Sequence, residues 1–285
     1  MRSAFLAATA ALLANLSVAP GPAAAQSRPA APAAQPAPAY ADIADLVVAA
    51  PLVIDATIRS TGRIKGAEAA AVPPGLARLY VEADVLALIR GPGAVPPRVG
   101  YLLDIPVDAR GRIPKLKKAR VLLFARPVAG SAGQIQLVSP GAQLPWTPAG
   151  DALVRRIAAD VLSRDAPPVV TGVGNAFHVP GSLPGEGETQ VFLTTADGRP
   201  VSLSILRRPG ERPRWAVALS EIVDDSAAPV RRDTLLWYRL ACALPPELPE
   251  SSTASIEPSD ADLARGDYRF VIAQLGPCGR TAASR

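Results

Sequence analysis

Proline recurs at intervals along the whole chain, 31 times in 285 residues. Each proline fixes φ and removes a backbone donor, so long helices and central strands do not run through it. A chain punctuated in this way folds into short elements joined by turns. Nearly half of the residues are apolar (49%), so those elements can build a core and the body is globular, not disordered. The length suffices for one large domain or two small ones.

The first residues have the pattern of an export signal. Arg2 supplies the positive start, Ala4 to Val18 an apolar run, and Pro20, Gly21 and Pro22 a helix break. Ala23, Ala24 and Ala25 are the small residues a signal peptidase accepts, which predicts a signal peptide over 1–25 with cleavage before Gln26. The run is about 15 residues, short of the roughly 20 that a membrane span needs. No later stretch is long and apolar enough, so no transmembrane span is expected in the mature chain. Residues 26–39 are Pro- and Ala-rich and read as an extended linker. Cys242 and Cys278 are the only cysteines. In the oxidising compartment that an export signal implies, two such residues are expected to pair as a disulfide. The expected location is periplasmic or secreted.

The first folded region, 40–145, opens with a helix. Tyr40 to Ala49 places Ile43, Leu46 and Val47 on one face, and Pro51 stops it. Five strand-like runs follow: Leu52 to Ile58, Leu79 to Ile89, Val99 to Ile105, Val121 to Arg126 and Ile135 to Val138. In the second, Val81, Ala83, Val85, Ala87 and Ile89 lie on one face, while Glu82 and Asp84 lie on the other. Alternation with period two, broken by Gly and Pro, is the signature of half-buried strands. Five such runs with no helix between them predict a small closed barrel of the OB type.

The order of a short helix, a VEADVLALIRG strand, a YLLDIPV strand and a KARVLLFAR strand resembles that of netrin-like domains of the OB type. The resemblance implies the barrel and, as one functional alternative, a protease inhibitor. Metalloproteinase inhibitors of that type use a cysteine at the mature N-terminus. The mature N-terminus expected here is Pro-rich and Cys-free, so that alternative ranks last. As a whole the chain also resembles uncharacterised exported proteins of alphaproteobacterial type.

The second region, 146–285, is expected to be α+β. Thr147 and Pro148 form a helix start, and Leu153, Val154, Ile157 and Val161 make its apolar stripe; this helix could belong with either region. Gln190 to Thr195, Val201 to Arg207 and Arg214 to Val223 read as an antiparallel meander, with turns at Asp197-Gly198 and Pro209-Gly210. Asp233 is read as the cap of a helix over Thr234 to Ala243, and 245–259 as a loop. A single helical turn from Ser259 to Gly266 and a last strand from Tyr268 to Leu275 complete the region. The fold class is α+β and mainly β: a five-stranded OB-like barrel followed by a smaller antiparallel sheet with short helices.

The chemistry is sparse. His178 is the only histidine, which excludes a zinc site built from several His ligands, and two cysteines cannot make a four-Cys site. A hydrolase would have to use His178 as base, with Ser182 as the nearest nucleophile and Asp197 to orient the ring, but the strand-turn-helix motif that exposes a nucleophilic serine is missing. Gly172-Val173-Gly174 is half of a dinucleotide fingerprint and reads as a turn or a strand bulge. Asp104 with Asp108, and Asp224 with Asp225, lack calcium-loop spacing. No catalytic residue, metal or cofactor is assigned.

Charge is the most suggestive feature. Only four of the 30 basic residues are lysine, and three of those four stand in one connection, where Arg110, Arg112, Lys115, Lys117, Lys118 and Arg120 crowd together. A second cluster is Arg207, Arg208, Arg212 and Arg214. Concentrated cations attract phosphate, lipid headgroups or acidic polysaccharide. Nucleic-acid binding would also want stacking aromatics, and export makes that partner unexpected. The reading is therefore a non-enzymatic binding or assembly protein of the cell envelope that recognises an anionic envelope component or an acidic protein through Arg110, Arg112, Lys115, Lys117, Lys118 and Arg120. An envelope hydrolase using His178 is the alternative.

Overall fold

The computed structural model describes residues 38–219 and 230–281. The expected signal peptide, most of the expected linker, Asp224, Asp225 and the expected end of the third meander strand lie outside the described residues. Helix α1 (Tyr40–Ala49) has the expected bounds. The Asp42 carboxylate accepts the Ala39 amide at 3.1 Å and closes its first turn. Tyr40, Ile43, Ala44 and Val47 form its buried face, and Pro51 forces Ala50 into extended backbone.

The barrel strands are β1 (Leu52–Arg63), β2 (Leu76–Arg90), β3 (Arg98–Pro106), β4 (Arg120–Val128) and β5 (Ser131–Leu137). They run in the order β1-β2-β3-β5-β4, and β1 pairs with β4 to close the ring. All neighbours are antiparallel except β3 and β5, which are parallel and bridge only at Gly100↔Gln134. The alternation read from sequence sets the interior. Leu52, Ile54, Ala56 and Ile58 point inward from β1, with Leu79, Val81 and Ala83 from β2 and Val99, Tyr101 and Leu103 from β3. A short sixth strand, β6 (Gln143–Pro145), adds to β4; three residues carry too little periodicity to be read from sequence.

A second core lies against the outside of this barrel. Val53 of β1 and Leu122 and Phe124 of β4 face it, together with α1, α2 (Pro148–Leu162) and the sheet β7 (Val170–Pro180), β8 (Gly187–Thr195), β9 (Val201–Arg207) and β10 (Arg214–Ala218). Val154, Ile157 and Ala158 place α2 in this core, where it packs on α1 and also touches β2. Thr147 caps α2 as expected, accepting from the Gly150 amide. The meander β8-β9-β10 is present, but the sheet begins one strand earlier. Gly172 and Gly174 interrupt the apolar pattern of β7 and sit at its two register irregularities, so the half fingerprint is a strand bulge.

Two expectations near the C-terminus fail. Thr234, not Asp233, caps α3 (Leu235–Ala241), by accepting the Trp237 amide at 3.2 Å. The helical turn and final strand are in fact one helix, α4 (Pro258–Leu275). Tyr268, Phe270 and Ile272 alternate as in a strand. The stronger signal is the helical spacing of Ala261, Ala264, Tyr268, Val271 and Leu275, all buried. Gly266 lies off that face and does not stop the helix. The loop at 245–259 contains one short 3-10 turn, Glu250–Thr253.

Cys242 and Cys278 are bonded and tie the end of α3 to the segment leaving α4. Trp237 Nε1 reinforces the joint by donating to the Leu275 carbonyl at 2.9 Å. Closing a loop of this separation, 36 residues, removes unfolded-state entropy of about 4 kcal/mol. The double variant Cys242→Ser, Cys278→Ser should lose about that much stability in urea unfolding. A reducing agent should give the wild type the same midpoint shift, and leave the variant unchanged.

Candidate functional site

The connection from β3 to β4 crosses one end of the barrel. Asp108 shapes its first turn: one carboxylate oxygen accepts the Arg110 and Arg112 amides, both at 2.9 Å, and the other accepts Arg112 Nε at 2.7 Å. Those bonds hold the Asp108 carboxyl below the usual carboxylate range. Gly111 supplies the positive φ that the turn needs. Ile113 and Leu116 then turn inward onto the barrel core. Pro114 and Lys115 between them, and Lys117 and Lys118 after them, are exposed.

The end of the connection is pinned as well. The Lys118 amide donates to the Ile58 carbonyl at 2.7 Å, and the Ile58 amide donates to Ala119 at 2.9 Å. Lys118 is thereby held at a φ of 71°, an unfavourable region for a side chain of its kind. These cations are carried on a fixed platform.

The six predicted cations divide into two groups. Arg112 is neutralised by Asp108. Arg120 forks both oxygens of Asp55, at 2.9 and 2.6 Å, and lies 3.7 Å over the Trp146 ring. Asp55 is 1% exposed, so Arg120 serves the fold by compensating a buried charge. Arg110, Lys115, Lys117 and Lys118 are exposed and form no ion pair among the described residues. Sequence reasoning missed a fifth cation, Arg63. It sits at the far end of β1 and donates to the Gly111 carbonyl at 3.3 Å, an approach that only barrel closure creates.

The second cluster is weaker. Arg207 points inward to Asp267, which is fully buried, and Arg214 stands 4.0 Å from Glu211. Arg208 and Arg212 remain exposed. Asp104 does not meet Asp108 as a carboxylate pair, because Arg78 forks it with two bonds of 2.8 Å.

His178 is buried in β7. Its Nδ1 lies 2.8 Å from the Thr189 hydroxyl, which donates to Asp267 at 2.5 Å. Thr189 has one proton and gives it to Asp267, so His178 Nδ1 is the donor in its own bond. The arrangement joins β7, β8, β9 and α4 through a satisfied polar chain. Ser182 and Asp197 are elsewhere: the Ser182 amide donates to Glu186 at 3.1 Å, and Asp197 pairs with Arg199. Among the described residues, no group of three or more His, Cys, Asp or Glu side chains could hold a metal ion, and no helix is long and apolar enough to cross a membrane.

No protein-family model matches the chain, and no curated protein matches it significantly.

The Arg78 guanidinium, through its hydrogen bonds, holds the Asp104 carboxyl below the usual carboxylate range. A carboxyl depressed in the folded state stabilises the fold above its unfolded pKa, about 4, and loses that contribution as pH falls through the folded value. Asp104→Asn should therefore lower stability at neutral pH and flatten its decline below about pH 4, as read from unfolding midpoints across an acid series.

Proposed function

We propose that this chain is exported and binds an anionic surface of the cell envelope through the cationic end of its barrel. The observation that carries this reading is the contrast within one connection. Two of its six basic residues are neutralised by neighbouring carboxylates, while Arg110, Lys115, Lys117 and Lys118 are exposed and form no ion pair among the described residues, with Arg63 added beside them. Cations left unpaired on a fixed platform present a dense positive field and lose little entropy on meeting an anionic surface. The Cys242–Cys278 bond supports an oxidising compartment, in keeping with the export signal over 1–25. The reading assigns no chemistry to the protein: its work is contact.

Binding of this kind is screened by salt. The mature protein should co-sediment with vesicles of phosphatidylglycerol in phosphatidylcholine at low salt, and much less at high salt or with phosphatidylcholine alone. Each cation near an anionic lipid surface contributes about 1 kcal/mol. Reversing Lys115, Lys117 and Lys118 to Glu should thus weaken binding at least about a hundredfold. Unchanged co-sedimentation of a folded triple variant would remove the basis of the proposal.

A further inference from the structure

The barrel wall is incomplete between β3 and β5. At Gly100↔Gln134 the strands are clasped: Tyr80 lies across Gly100, and Gln134 Nε2 donates to its hydroxyl at 2.9 Å. A Cβ at position 100 would stand 2.1 Å from that hydroxyl, so only glycine permits the clasp. Beyond it no further residue of β3 pairs with β5. Over Tyr101–Pro106 the β3 edge has no strand partner on its β5 side among the described residues, a stretch of about 20 Å. β5 pairs only with β4 over Ile135–Leu137.

The two edges diverge around a cleft of about 700 Å³. Its floor is apolar, with Leu103, Ile135 and Val138, and Leu102 on its rim is 52% exposed. Its charges are unequal. Arg78 and Asp104 neutralise each other, whereas Arg126, exposed on the same cleft, forms no ion pair among the described residues.

Two strand edges that, beyond one bridge, have no ladder pairing toward each other among the described residues are a template for another strand. We propose that this wedge binds an extended segment of a partner protein, added to the barrel as a strand between β3 and β5, whose apolar side chains cover Leu102 and Leu103 and whose carboxylate meets Arg126. None of Arg63, Arg110, Lys115, Lys117 and Lys118 lines this cleft. Main-chain hydrogen bonds supply the affinity, and Arg126 supplies the preference for an acidic residue.

The probe is a fluorescein-labelled octapeptide that alternates valine and threonine around one central glutamate, followed by fluorescence anisotropy with the mature protein. Saturable binding is expected. N-methylation of alternate amides, which removes ladder donors and leaves the charge, should weaken it at least about tenfold. Leu102→Lys should abolish binding with an unchanged melting temperature, since Leu102 is a surface side chain. Arg126→Glu should reverse the preference, so that the peptide with lysine in place of glutamate binds more tightly. The triple variant Lys115→Glu, Lys117→Glu, Lys118→Glu should bind the peptide like the wild type. The proposal is overturned by the absence of saturable binding, by equal affinity for the N-methylated peptide, by retention in folded Leu102→Lys, by an unreversed preference in Arg126→Glu, or by loss in the triple variant.

Discussion

Strand β1 is used on both edges and both faces, and the rest of the structure depends on that. Its residues Leu52–Thr57 pair with β4 while Val53–Arg63 pair with β2, so the ring closes through this strand. Its inward side chains fill the barrel, and Val53 on the other face joins the second core. A strand so enclosed cannot leave a charge uncompensated, yet it carries Asp55 at its centre. Arg120 answers that charge from the first residue of β4 and is held in turn on Trp146 of the segment after β6. The start of β4 is fixed by this demand. The connection before it therefore ends at a set point, with Lys118 bonded to Ile58, and the cations are displayed as a consequence of closure.

The second core is bound up with the same strands through the chain ends. Helix α1 lies against α2, α3 and β4, and the C-terminal segment returns to it. Arg280 forks Asp45 at 2.6 and 2.9 Å, the Tyr238 hydroxyl donates to Asp45 at 2.6 Å, and Thr281 bonds Asp42. Burial, reinforced by Asp45, pushes the Tyr238 hydroxyl up to about 12, so it remains a donor at any physiological pH. The disulfide fixes where this returning segment starts. Barrel, helices and sheet are thus joined around one first helix.

Much of this was legible in the sequence where one face of an element is buried. Helix α1 and the five barrel strands follow from periods of 3.6 and 2 broken by Pro and Gly, because burial enforced those periods. What was missed has physical causes. Gly172 and Gly174 blank out the apolar pattern of β7 because bulges, not packed side chains, occupy those positions. In α4 the Tyr268-Phe270-Ile272 alternation imitates a strand, since Phe270 and Ile272 are only half-buried at the margin of the helix's true face. In the basic connection, composition located the cluster but not the division within it. Whether a cation is free depends on carboxylates such as Asp55, 65 residues away from Arg120, and only the folded register brings these together. For the same reason Arg63 and the β3–β5 wedge left no mark in the sequence.

The claim most exposed to test is that the barrel end, and not another charged surface, meets the anionic partner. Amide hydrogen exchange of the chain from Gln26 onward, with and without phosphatidylglycerol vesicles, addresses it directly. Slowed exchange confined to residues 108–119 and the neighbourhood of Arg63 is the predicted result. Protection that centres on the turn from Arg207 to Arg214, with the β3–β4 connection unaffected, would contradict it.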